Sequence, residues 1–60
     1  MFNKDDANQA MINLQSHQAD RWVRIANQEY ERRKKLGGKD AECRRLATKL
    51  ANSRLLGAKE

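Results

Sequence analysis

Proline is absent from the 60 residues, glycine occurs three times and cysteine once. Without proline no position forces a break or kink in a helix. The strong helix formers that fill the chain (alanine, leucine, arginine, lysine, glutamine, glutamate) are therefore free to run on. A single cysteine, Cys43, excludes an intramolecular disulfide framework and fits a reducing compartment. His17 is the one histidine, so a histidine–cysteine metal site lacks ligands. The aromatics are Phe2, Trp22 and Tyr30, too few to build a base-stacking platform for single-stranded nucleic acid. No apolar run approaches the ~18 residues of a membrane span, and no charged, apolar and small-residue succession marks an export signal. The expectation is a cytoplasmic protein with no cofactor, no bound metal and no membrane association.

What the chain does contain is helical periodicity. A pattern of about 33 residues runs from Lys4 to Leu36, followed by Gly37-Gly38 and a second pattern from Asp40. The predicted fold class is all-α: a single helical-hairpin domain with a helix over 4–36, a turn at 37–39, a helix over 40–56 and a frayed tail at 57–60. Asn3 or Asp5 can cap the first helix, with Asp5 and Asp6 at the positive end of its dipole and Met1 to Asn3 frayed. At 100° per residue Ala7, Ala10, Met11, Leu14, Trp22, Ile25 and Ala26 share one face, widened by Ile12, Ala19, Val23 and Tyr30. Opposite lies a polar stripe of Asn13, His17, Asp20, Arg24, Asn27, Glu31 and Lys35, with Asp20–Arg24 and Glu31–Lys35 spaced as i,i+4 ion pairs. Glycine supplies the left-handed residue that ends the helix after Leu36, and Asp40 is a suitable cap for the next. The second helix has an apolar face of Cys43, Leu46, Ala47, Leu50, Ala51, Leu55 and Ala58, with Arg45, Lys49 and Asn52 outside. The weak joint is Asn13 to Asp20, where polar residues interrupt the seam and a break would give three helices. The absence of glycine and proline there argues for continuity.

Two helices do not enclose a core. Ordering a residue costs roughly 1.5 kcal/mol in conformational entropy, which a lone hairpin has too little buried apolar surface to offset. The sequence therefore predicts a homo-oligomer, a dimer by preference, in an antiparallel four-helix arrangement. Its interface residues are Met11, Leu14, Trp22, Val23, Ile25, Tyr30, Leu46 and Leu50. Trp22 is the largest burial either way, in a core or in a seam.

Charge is uneven. The net formal charge is +5. Residues 1–20 set Lys4 against Asp5, Asp6 and Asp20, and the remainder sets twelve cations against Glu29, Glu31, Asp40, Glu42 and Glu60. The basic second half points to an anionic partner, either nucleic acid or an acidic protein surface. Arg32, Arg33, Lys34, Lys35, Arg44 and Arg45, with Lys39 between them, are the candidate nucleic-acid contacts, and any affinity they carry depends on salt. Cations in a last helical turn also complement the helix dipole without any ligand. The stretch from Arg45 to Arg54 has arginine, lysine, asparagine and serine in the pattern of a DNA-reading helix. That reading needs a third supporting helix. No catalytic residues are predicted: Ser16 and His17 point about 100° apart on a helix, and a hairpin offers no walled pocket.

In size, charge and helix–Gly-Gly–helix organisation, built on the 4–36 helix, Gly37-Gly38 and the Cys43–Ala58 stripe, the chain resembles the small early-region accessory proteins of lambdoid temperate phages. The resemblance implies a factor in the host bacterial cytoplasm that regulates development by binding other macromolecules. It carries no functional residues across. The function expected is a non-enzymatic regulator or adaptor that binds a host or phage protein as a homodimer. The alternative is a basic DNA- or RNA-binding regulator.

Overall fold

The computed structural model describes residues 1–11 and 14–57, with side chains as far as Leu55. The chain is all-helical over these residues: α1 spans Lys4–Ala10, α2 Ser16–Lys35 and α3 Asp40–Gly57. The long helix expected over 4–36 is thus two helices. The chain leaves helical geometry at Met11 (φ −135°, ψ 131°) and re-enters α2 through Gln15 (φ −78°, ψ 162°). Ile12, Asn13 and residues 58–60, Ala58 and most of the expected frayed tail included, lie outside the described residues.

Matched lengths explain the break. At ~1.5 Å per residue the 20-residue α2 is roughly 30 Å long and the 18-residue α3 about 27 Å. A continuous helix would carry Ala7, Met11 and Leu14 past the end of α3 into water. Folding α1 back buries Ala7 completely and packs Ala10, Met11 and Leu14 against the core. The local cost is small, because Ser16, whose hydroxyl competes for backbone groups, is a weak helix former at a point where nothing is gained by continuing. The Gln15 amide donates to Gln18 Oε1 at 3.1 Å, which satisfies one of the donors the new helix start exposes. The joint was marked slightly too late in the sequence, since Ser16 to Asp20 are already helical.

Both termini of α2 and the start of α1 are closed by specific bonds. Asn3 caps α1 in a reciprocal box: its side chain accepts from the Asp6 amide at 3.1 Å, and Asp6 Oδ2 accepts from the Asn3 amide at 2.9 Å. At the other end of α2, the Gly37 amide donates to Lys34 O and the Gly38 amide to Arg33 O, both at 3.0 Å. With Gly37 at φ +90° this is a Schellman stop. Gly38 is required for space: a Cβ there would sit 2.8 Å from Cys43 Sγ and 3.1 Å from Arg33 O.

The core is small residues around one large one. Ala7, Ala19, Ala26, Ala47 and Ala51 are buried with Trp22, Cys43 and Leu55. Alanine at the contacts lets the helices approach closely, and Trp22, 1% exposed, fills the volume between all three. Two bonds spanning α2 and α3 show how they align. Tyr30 bonds Asp40 near the turn, and Trp22 bonds Asn52 toward the other end. Phe2, expected to fray, is half-buried with its ring edge-to-face to Trp22 (centroids 5.4 Å, 81°) and to Tyr30 (6.1 Å, 84°).

Asn27 holds it there. Expected on the wet stripe, Asn27 instead accepts from the Phe2 amide at 2.9 Å and donates to the Phe2 carbonyl at 3.4 Å. Asn27→Ala is therefore expected to cost about 1–2 kcal/mol, for two hydrogen bonds at ~1 kcal/mol each. In a domain of this size that is a fall in melting temperature of roughly 5–15 °C by circular dichroism. The exposed Gln28→Ala should stay within about 0.5 kcal/mol of the parent. Equal effects for the two would show that α1 is not held through Phe2.

Candidate functional site

The eight residues expected at an interface are divided by the structure. Trp22 lies inside the chain's own core, and Met11, Leu14, Val23, Ile25 and Tyr30 are half-buried against it. Leu46 and Leu50 are half-buried and lie outside that cluster. The third helix is what separates them. Phe2 and α1 cover the side of the α2–α3 pair that carries Val23, Asn27 and Tyr30. On a helical projection Leu46 and Leu50 of α3, and Ile25 and Leu36 of α2, fall on the other side. Leu36 is 78% exposed. It shares a concavity of about 190 Å³ with Gly37, Gly38, Cys43, Leu46, Arg33 and Glu42.

The six candidate nucleic-acid residues do not act as one cluster. Arg33 Nε binds the Glu29 carboxylate at 2.5 Å, and Arg32 reaches the same group at 3.6 Å. Glu29 is 6% exposed, and its carboxylate is served by two cations of its own helix. Arg44 pairs with Asp40 at 3.2 Å. Lys34, Lys35 and Arg45 are exposed and make no ion pair among the described residues. Cations that already hold a buried carboxylate are structural first. Arg32 and Arg33 thus belong to the fold, whereas Arg45 is free for an outside anion.

Sequence reasoning paired the wrong acids. Asp20 joins Lys4 of α1 at 3.3 Å in place of Arg24, and the pairs along α2 and α3 are Glu29–Arg33 and Asp40–Arg44. Both have the same favourable i,i+4 spacing and were open to the same rule. What the rule lacked was the burial of Glu29. Asp40 is the first residue of α3, and its carboxylate is engaged by Tyr30 and Arg44.

That Tyr30–Asp40 bond ties the C-terminal half of α2 to the start of α3. The phenol donates to Asp40 Oδ1. The bond, with the Arg44 and Lys34 charges nearby, lowers the Asp40 pKa below the ordinary carboxylate value. The same bond, burial and the Asp40 charge raise the Tyr30 pKa.

The outer side of α3 was described in the sequence as a polar exterior, and it holds more structure than that. Arg44, Arg45, Thr48, Lys49 and Asn52, with Phe2, line a concavity of about 540 Å³. Asn52, placed outside by periodicity, is half-buried because its Oδ1 accepts from Trp22 Nε1 at 2.6 Å. A buried indole N–H needs an acceptor. That requirement was the available signal.

His17 is exposed near the start of α2 and Cys43 is buried against Gly38. Among the described residues no group of three histidine, cysteine, aspartate or glutamate side chains converges as a metal site. No described helix is long and apolar enough to cross a membrane. Compared with known proteins, the chain matches no family model, no curated protein and no solved structure.

The Tyr30–Asp40 bond gives stability a defined pH window. Asp40 has a lower pKa folded than unfolded. Its contribution is present above about pH 4 and lost as pH falls through the folded value. Tyr30 has a higher pKa folded, so its contribution is present below about pH 10 and lost as pH rises through the folded value. Asp40→Asn should flatten the acid limb of a urea-denaturation series. An acid limb unchanged by Asp40→Asn would remove this bond from the account.

Proposed function

We propose that the protein is a non-enzymatic binding protein that works as a homodimer and presents helical surface to a second macromolecule, as an adaptor or regulator. One observation carries this reading. Once α1 has closed one side of the α2–α3 pair, the opposite side still shows Leu36 to solvent and leaves Leu46 and Leu50 half-exposed outside the core. A row of three leucines flanked by Ile25 is more apolar than the exposed helix faces elsewhere in the molecule, where Arg24, Gln28 and Glu31 stand. Contiguous apolar surface of this kind marks interaction sites.

A second copy is the simplest occupant, because a twofold axis sets the same strip against itself. Two α2–α3 pairs joined there make a four-helix layer, with α1 on each outer surface. This differs from the dimer read from sequence in one respect. Trp22, Val23 and Tyr30 are already used within each chain, so the seam rests on Leu36, Leu46 and Leu50, with Ile25, itself packed against the core, at its edge. The likeness to phage accessory proteins leaned on an unbroken 4–36 helix. With that helix divided, it adds nothing to the argument.

Sedimentation equilibrium tests the proposal. At tens of micromolar the parent is expected at twice the chain mass. Leu46→Glu/Leu50→Glu should sediment as a monomer with its helical circular dichroism retained, since both positions lie outside the buried cluster. A parent that stays monomeric up to millimolar concentration would rule out the homodimer.

A further inference from the structure

We propose that the outer side of α3 binds the phosphate backbone of a duplex nucleic acid, through Arg44, Arg45, Thr48, Lys49 and Asn52. This goes beyond the homodimer reading and uses a different surface. Arg44, Thr48 and Asn52 lie on the opposite side of α3 from Leu46 and Leu50, with Arg45 and Lys49 facing solvent between them.

The chemistry of the concavity is one-sided. Its polar lining is Arg44, Arg45, Thr48, Lys49 and Asn52, and no carboxylate lines it. Arginine and lysine only donate. Asn52 becomes a donor here because of what lies beneath it. The Trp22 indole N–H can only donate, so it fixes the Asn52 amide with Oδ1 inward at 2.6 Å. The Nδ2 group of Asn52 is then left for the concavity. Thr48 adds a hydroxyl that can donate. A surface made of three cations and two neutral donors is complementary to a ligand that presents acceptors and negative charge, as phosphodiester oxygens do.

The arrangement also separates this from a general basic surface. Arg44/Thr48/Asn52 and Arg45/Lys49 form two adjacent i,i+4 rows, each step advancing ~6 Å along the helix. Two nucleotide steps of a B-form strand rise ~6.8 Å, so successive side chains in a row match every second phosphate of a strand running alongside α3. Arg33 is excluded because the buried Glu29 holds it at 2.5 Å, and neither it nor Arg32 lines the concavity. Arg44 is 59% exposed while paired to the half-exposed Asp40, and it can turn its free guanidinium edge outward.

The aromatics argue for duplex over single strand. Base-stacking proteins need exposed ring faces. Trp22 is 1% exposed, and Phe2 and Tyr30 are half-buried with their rings engaged with each other. The one ring at the concavity, the half-buried Phe2, cannot stack successive bases, so recognition falls to the backbone and carries little sequence preference.

Fluorescence anisotropy with labelled duplex DNA, duplex RNA and single-stranded DNA of mixed sequence tests this, with salt raised from roughly 50 to about 200 mM. Duplex binding is expected, with a log–log salt slope near −3 for three phosphate contacts. Arg45→Gln/Lys49→Gln should reduce the slope by about 2. Asn52→Asp keeps an acceptor for Trp22 but sets a charge in place of the donor. It should weaken duplex binding about tenfold or more, as for loss of a hydrogen bond to a charged group, with the helical circular dichroism unchanged. Arg21→Gln/Arg24→Gln removes the same charge from exposed positions of α2 and should leave the slope within about 0.5 of the parent. Binding of either duplex with this variant pattern supports the site, and the two duplex arms tell DNA from RNA. No binding at low salt, an equal slope change in Arg21→Gln/Arg24→Gln, or tighter binding of the single strand overturns it. Sedimentation of the same samples reads the dimer separately, so failure here and failure of the homodimer are distinguishable.

Discussion

The structure depends on the burial of one indole. Trp22 is the only aromatic fully removed from water, and it joins parts distant in sequence: the Phe2 ring ahead of α1 lies against it, Asn52 of α3 is the partner of its N–H, and it shares the core with the buried alanines. Truncating a buried tryptophan typically costs 3–5 kcal/mol. A small domain has only about 5–15 kcal/mol of net stability. No other side chain here has comparable leverage, because the remaining core is mainly alanine and brings little area per residue. The ring edges of Phe2 and the amide of Asn52 are therefore not accessories. They complete an enclosure that α2 and α3 leave open on one side.

Closing that side decides what the rest of the molecule can do. Phe2 and α1 occupy the flank with Val23, Asn27 and Tyr30, which leaves Leu36 exposed and Leu46 and Leu50 half-buried outside the core on the other side. Asn52 accepts from Trp22 and shares the lining of the outer concavity with Arg45 and Lys49. The ion pairs follow the same division. Glu29 holds Arg33 within α2 and Asp20 holds Lys4 of α1, while the cations without an ion pair among the described residues are spread along α2 at Arg21, Arg24, Lys34 and Lys35, at Lys39, and along α3 at Arg45, Lys49 and Arg54.

Much of the fold was legible from residue type and spacing. The helical content, the Gly37-Gly38 stop with its left-handed glycine, the Asn3 cap and the Cys43–Ala47–Ala51–Leu55 stripe all follow from local rules. The break after Ala10 was visible as an interrupted seam but was decided by a tertiary effect. An unbroken α1 would extend past the end of α3, and no local propensity encodes that. The polar residues were harder. Asn27 and Asn52 sit at periodicities that mark wet faces, yet each satisfies a buried or half-buried donor, Phe2 N–H or Trp22 Nε1–H. Their roles come from the enclosure of a neighbour and not from their own position on the wheel. The candidate basic site was legible as charge and illegible as geometry. Only the burial of Glu29 shows that Arg32 and Arg33 are already engaged.

Proton–proton contacts in solution address the enclosure most directly. Nuclear Overhauser spectroscopy should show cross-peaks between the Phe2 ring and the Trp22 indole, with the indole N–H slow to exchange. Helical amide connectivities should stop after Ala10 and resume at Ser16. Unbroken connectivities from Ala7 through Ala19, with no Phe2–Trp22 cross-peak, would mean a single long helix and would contradict the account at its base.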